Sequence, residues 1–200
     1  MNDISELYNI KNVHIDFQPQ NLFERLINEN KIHYKEKVFS KGSFIVKEKT
    51  QHNYIYFIKD GIVSVEKQED IYTFFPKGNF IGLNVLSRER SPFFSFVAFT
   101  DVEVIRFDRA EVETYLNRMQ ERWLFLYVQE QRFRDHIYEC YLFRREKGIE
   151  KVELAITFIN KIFPNPTQRV LPPEIPYKEF ARFVGIKEST IQKILKKRNV

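Results

Sequence analysis

Cysteine, alanine and long apolar runs are what this chain of 200 residues has least of. Its single cysteine, Cys140, excludes an internal disulfide, a multi-cysteine metal site and iron–sulfur chemistry, and it fits a reducing compartment. No stretch approaches the roughly 18 to 20 consecutive apolar residues of a membrane span. The opening MNDISELYNIKNVHIDF has neither a basic n-region nor an apolar h-region. A cytoplasmic protein with no membrane partner is therefore expected. The four histidines, His14, His33, His52 and His136, are scattered without metal-ligand spacing, so surface or packing roles are expected, with no metal and no cofactor. Alanine occurs four times while Phe, Ile, Lys and Asn abound, the imprint of an AT-rich genome, so a single lysine carries little weight.

What is present is 43% hydrophobic residues, enough to bury a core in one domain or two small ones, and a net charge of +5 that is unevenly placed. Residues 151–200 hold ten basic and four acidic side chains, a net +6 that leaves −1 for residues 1–150. A basic segment on a near-neutral body suits a polyanion partner, through phosphate neutralisation and counterion release. A solvated lysine-rich surface is the plainer reading of charge alone.

After a short helix around QNLFERLINEN, the hydrophobic period becomes two. Residues 43–49, 54–58, 62–67, 71–75, 93–99 and 102–107 are aromatic and β-branched, and SKG, KDG, PKG and TD between them are turn signals. This spacing predicts an antiparallel roll or barrel. From Asp108 to Lys147 there is neither Gly nor Pro. Asp108 with Glu111 three residues on reads as a helix start, and Gly148 as a stop. Two helices share the stretch, breaking near Asn117, and the second, over 119–146, would be roughly 42 Å long. Leu124, Tyr127, Val128, Gln131, Tyr138, Tyr141 and Leu142 recur along it at spacings of three and four, widened by Trp123, Phe133 and Ile137. A helix so broadly apolar needs cover on two sides, by the roll and by a second copy, and is read as a dimerisation helix; a long core helix of a monomer is the alternative.

IEKVELAITFINKIF is a further amphipathic helix, and PNPTQRVLPPEIP, with five prolines, is an extended connector. It leads to YKEFARFVGIKESTIQKILKK, which has the small residue (Ala181) and the turn glycine (Gly185) that two steeply crossing helices need. With Phe180, Val184, Ile186, Ile191 and Ile194 turned inward, Lys187, Glu188, Ser189, Gln192, Lys193 and Lys196 face outward, side chains able to meet base edges and phosphates. The competing reading is an ordinary helical hairpin, and Lys187 or Glu188, and Pro176, stand where caps are expected.

In its order of parts the chain resembles the Crp/Fnr family of bacterial transcription regulators. The resemblance rests on SKG and the strands after it, IYFIKDGIVSV, FFPKGNFIGLNVL, AFTDVEVIRFDRAEV and EFARFVGIKESTIQKIL. It implies an α+β fold: a cupin-like antiparallel β-roll (jelly roll) sensor over 1–110, a helical connector with the long dimerisation helix over 111–147, and a helix-turn-helix over 148–200. It also implies a homodimer on a pseudo-palindromic operator, with double-stranded DNA and RNA polymerase as partners. Ser189, Glu188 and Lys193 would fall near bases, and Thr190, Lys178 and Tyr177 near phosphates.

Two departures matter. Cyclic-nucleotide-binding members carry a ribose-binding Glu after the glycine and an Arg-Ser or Arg-Thr pair for the phosphate. Here Leu83 follows Gly82, and Pro92 and Phe93 occupy the ungapped pair, although Arg90-Ser91 restores it with a two-residue shift. An effector other than cyclic AMP is expected, in a pocket lined by Phe80, Leu83, Phe93, Phe94 and Phe96, unless these residues only fill the roll. The chain also stops at Val200, where the family continues into a β-hairpin wing. A degenerate sensor or protein-interaction adaptor that no longer binds DNA is thus the alternative function. An enzyme is not expected, since the strand segments hold no histidine and no nucleophile–base pair is visible. Cys140 reads as a thiol sensor or as buried filler.

Overall fold

Eight strands pair into two antiparallel sheets of four, in a computed structural model that describes residues 15–28, 32–68, 70–83, 91–163 and 170–198, without the side chain of Arg198. The first sheet has the order β1 (Tyr34–Phe39), β8 (Val102–Asp108), β3 (Tyr54–Asp60), β6 (Phe80–Ile81). The second has the order β2 (Phe44–Val46), β7 (Ser95–Ala98), β4 (Ile62–Lys67), β5 (Asp70–Pro76). Alternation along the strands sets the layers. Tyr56, Ile58, Val65, Phe75, Ile81, Phe96, Val102 and Val104 fill the space between the sheets. Ile55, Phe57, Ile105 and Phe107 turn to the opposite face, which is covered by helices.

All six strands expected from period two are present, within a few residues of their expected ends. β1 and β6 were not legible. β1 reads YKEKVF and is exposed along almost its whole length, because it is an edge strand held by pairing with β8 and defended by Lys and Glu rather than by burial. β6 has two residues, too few for a period. At the KDG turn, Gly61 has φ +87°, and a Cβ there would lie 2.3 Å from the Asp101 carbonyl oxygen, so only glycine fits. The TD turn works through side chains: Ile62 N–H donates to Thr100 Oγ1 (3.0 Å) and Lys41 N–H to Asp101 Oδ1 (2.9 Å).

Helix α1 (Pro19–Asn28) buries Leu22 and Leu26 against the outer face of the first sheet. Asp108 caps α2 (Arg109–Arg118), accepting from the Ala110 N–H at 2.9 Å and more weakly from Glu111 at 3.4 Å. The break near Asn117 falls at residues 119–121, and α3 (Arg122–Arg145) has 24 residues, roughly 36 Å. Gly148 is not its stop: α3 ends at Arg145 with Glu146 as the cap, and Gly148, at φ +58°, opens α4 (Gly148–Ile162).

Two short helices follow the proline connector, α5 (Tyr177–Val184) and α6 (Glu188–Arg198). They do not form a separate core. Phe158, Ile159, Phe180, Phe183, Val184 and Ile191 share one cluster with Ile71, Phe74 and Phe99 of the roll. Phe183 lies 5.2 Å from Phe74 and 5.1 Å from Phe143, ring centre to ring centre. Residues 1–14, 29–31, 69, 84–90, 164–169 and 199–200, which include His14, Arg90 and two of the connector prolines, lie outside the described residues.

Candidate nucleic-acid interface and effector pocket

The α5–α6 turn is built by Gly185, whose φ of +74° lets its N–H return to the Ala181 carbonyl at 2.8 Å, with Ile186 N–H on the same oxygen at 3.1 Å. Ala181 is buried at the crossing, and Phe180, Val184 and Ile191 are fully buried beside it. That burial fixes which side of α6 meets solvent. Lys187, Glu188, Ser189, Thr190, Lys193 and Lys196 are exposed, Gln192 is half-buried, and Tyr177 and Lys178 at the start of α5 are exposed beside them. Gln192 Nε2 donates to Glu188 Oε1 at 3.1 Å, one turn away. Pro176 caps α5 without a side-chain hydrogen bond.

Along α3 the expected dimerisation residues divide. Trp123, Tyr127, Tyr138, Tyr141 and Leu142 are exposed, Trp123 at 52% and Tyr138 at 58%. Gln131 is half-buried and donates to the Tyr127 hydroxyl at 2.7 Å. Leu124 and Val128 are placed elsewhere: both are buried against Phe17 of the same chain and offer nothing to a second copy. Helical spacing identifies which residues share a face but not what covers it, and here residues before α1 take two positions of the stripe.

A recess of about 190 Å³ opens between β2, β7 and α3. Phe93, Phe94 and Phe96 line it from the roll and Phe133 from α3, with Val46 and Pro92 completing the apolar wall. Phe94 and Phe133 meet edge to face at 5.9 Å. Phe80 and Leu83 do not line it. β6 pairs Phe80 with Phe57, so both rings point to the outer face of the first sheet, 5.0 Å apart, and Leu83 is buried in that same cluster.

Three polar groups stand at the recess that sequence reasoning missed. His52 is buried, its ring stacked on Tyr56 at 5.5 Å, and among the described residues its Nε2 has no hydrogen-bond partner. Burial, with the nearby Arg109 charge, lowers its pKa to about 4, so the ring is neutral at physiological pH. Arg109, buried at the start of α2, fixes the floor: Nε donates to the His52 carbonyl (3.0 Å), Nη2 to the Gly82 carbonyl (2.8 Å), and Nη1 lies 3.6 Å from Glu113. Glu130 of α3 stands exposed at the rim. None carries a local sequence signal, because His52 lies between strands and meets Gly82 and α2 only in the fold.

Cys140 is buried, and burial pushes its thiol up to about 12, away from the reactive thiolate. His33 is exposed beside Glu111, and His136 packs between Phe75 and Phe158. Among the described residues, no three His, Cys, Asp or Glu side chains converge as metal ligands, and no helix is long and apolar enough to cross a membrane.

Residues 36–119 match the family described as the cyclic nucleotide-binding domain. No curated protein matches the chain in sequence. Solved structures do match in fold. FixK2 from Bradyrhizobium japonicum aligns with a TM-score of 0.66 at 18% identity, covering 83% of this chain and 84% of that one. The c-di-GMP responsive global regulator CLP of Xanthomonas campestris gives 0.65 at 14%, over 89% and 90%. A transcriptional regulator of the CRP family from Thermus thermophilus gives 0.62 at 13%, over 80% and 83%. The chain therefore has the α+β fold of Crp/Fnr-type regulators, with a cyclic nucleotide-binding-like roll.

Proposed function

We propose that this protein is a sequence-specific DNA-binding transcription regulator that acts as a homodimer on a pseudo-palindromic operator. One observation carries the reading: burial of Ala181, Val184 and Ile191 leaves Lys187, Ser189, Thr190, Lys193 and Lys196 together on the open side of α6. A short helix with that face presents cations to phosphates and hydroxyls to base edges, while its apolar side holds it to the body. α5 and α6 act as a helix-turn-helix, with α6 as the recognition helix and Tyr177 and Lys178 at the backbone. The exposed aromatic stripe on α3 joins two copies, and their recognition helices enter major grooves about 34 Å apart. The roll answers to an effector other than cyclic AMP, because Leu83 stands where a ribose-binding carboxylate would be and is buried outside the recess.

The test is selection of bound fragments from random genomic DNA, followed by salt titration on the recovered site. The expected outcome is a recurring inverted repeat and a steep loss of affinity with salt. Lys193→Ala should weaken binding and, if Lys193 meets a phosphate, reduce the salt slope by about 1. Binding without sequence preference, or an unchanged affinity in Lys193→Ala, overturns the reading.

A further inference from the structure

β1 is the outer strand of the first sheet and pairs with β8 on one side only. Among the described residues nothing pairs with its other edge, which presents a row of backbone N–H and C=O groups. Register sorts the side chains between two faces. Lys35 and Lys37 stand opposite Arg106 and Val104 on the inward face, while Tyr34, Glu36 and Val38 stand opposite Phe107, Ile105 and Glu103 on the outward one.

The inward face carries cations without counter-charges. Lys35 faces Arg106 directly across the ladder, Lys37 is two residues on, and among the described residues none of the three lies within ion-pair distance of a carboxylate. Arg106 stacks on the Tyr54 ring at 4.2 Å, and Asp108, next along that face, is turned to the Ala110 N–H as a helix cap. Like charges opposed across a ladder repel until acids join them. The outward face differs. Tyr34 is 47% and Val38 71% exposed, Glu36 is already held by Lys59 at 3.1 Å, and Glu103 opposite Val38 repels a further acid. Lysines that keep a neutral or basic strand off this edge therefore suit an acidic one. A second copy does not fit. Pairing edge to edge about a two-fold centred on Glu36 sets Lys35 against Lys37 and Glu36 against itself, and moving the centre by one residue sets a lysine against itself.

We infer that the free edge of β1 takes up an extended segment of another protein in which acidic and apolar residues alternate, its carboxylates beside Lys35 and Lys37 and its apolar side chains beside Tyr34 and Val38. Main-chain hydrogen bonds supply the attachment, and Arg106 adds to the attracting charge. Alternation sets the phase, because a slip of one residue turns every acid towards Glu36 and Glu103. The site lies away from the paired helices: β1 leads through residues 40–43 into β2 at one end of the second sheet, while α5 sits on β4 and β5 at its other end. A partner on β1 leaves α6 open. The inference goes beyond the regulator reading and stands without it.

A peptide of about eight residues, the length of a strand, that alternates glutamate with valine is titrated into the full chain. Calorimetry reports affinity, and hydrogen exchange reports the β1 amides. Alternate β1 amides, those turned away from β8, should exchange freely in the protein alone and become protected with peptide, and binding should weaken as salt is raised. A peptide alternating lysine with valine, or one with its glutamates grouped at one end, should not bind. Lys35→Glu with Lys37→Glu, both at exposed positions, should weaken the glutamate–valine peptide about tenfold and admit the lysine–valine one. The inference is overturned if the glutamate–valine peptide does not bind, if it binds without protecting β1, or if the charge-swapped variant keeps the wild-type preference. It is overturned as well if every β1 amide is protected in the protein alone, because the chain's own residues or a second copy would then already cover the edge.

Discussion

Arg182 on α5 places Nη2 2.7 Å from Glu66 Oε2 on β4, which ties the first helix of the proposed DNA-binding pair directly to the roll. Glu66 is held in turn by the Ser64 hydroxyl at 2.6 Å, and Arg182 also pairs with Glu179 on its own helix. Arg144 adds a second tie, donating through Nη2 to the carbonyls of Ile71 on β5 and Phe183 on α5. A charge-assisted bond with both partners partly covered is worth more than an exposed ion pair, about 1 kcal/mol or somewhat above. A double-mutant cycle with Arg182→Ala and Glu66→Ala, read by urea unfolding, should give a coupling of that size that shrinks as salt is raised. A coupling near zero would mean that the aromatic contacts alone seat α5.

Gly185 and Ala181 are small for different reasons, and substitution separates them. A Cβ at Gly185 would touch nothing within 4 Å, so Gly185→Ala is resisted only by the left-handed backbone, at about 1 kcal/mol. Ala181 sits in the crossing itself, 6% exposed, so Ala181→Leu must push α5 and α6 apart at about 1–3 kcal/mol. Denaturation curves should rank the variants in that order, and DNA affinity should fall further in Ala181→Leu than the stability loss explains.

The two halves of the α3 pattern predict opposite behaviour. Tyr138→Glu with Leu142→Glu, both on the exposed stripe, should weaken self-association about 100-fold in sedimentation while leaving the unfolding midpoint nearly unchanged. Val128→Ala, fully buried against the chain's own residues, should cost about 2 kcal/mol of stability with the protomer's assembly otherwise intact. A reversed pattern would place the interface on the other side of the helix.

His52 gives a pH signature. Its pKa is about 4 in the folded chain against an ordinary 6.5, so between those values the unfolded chain binds the extra proton. The His52 contribution to stability is fully present above about pH 6.5, falls as pH drops through the interval, and levels off below about 4, with a total on the order of 3 kcal/mol. The measurement is the difference between wild type and His52→Gln from pH 7 to 4.5, which isolates the contribution of the ring. That difference should narrow as pH falls; a constant gap would mean that His52 titrates normally in the fold.

Local rules account for what was legible. Period two identified β2, β3, β4, β5, β7 and β8, the Asp108 cap located α2, and Ala181 with Gly185 located the α5–α6 turn, because each is decided by residues within about four positions of one another. β1 escaped because an edge strand can be held by pairing alone, with charged side chains on both faces.

The tertiary structure decided everything that depends on which faces meet. It sent Phe80 and Leu83 to the outer cluster by pairing β6 with β3, and it covered Leu124 and Val128 with Phe17. It brought His52, Gly82, Arg109 and Glu130, four distant residues, around one recess, and joined α5 to the roll through Phe74, Phe183, Glu66 and Arg182. The sequence by itself determined the order of roll, long helix and paired helices, together with the basic character of the last quarter. Periodicity states that a side chain has a buried face without naming the surface that buries it, and that surface comes from residues tens of positions away.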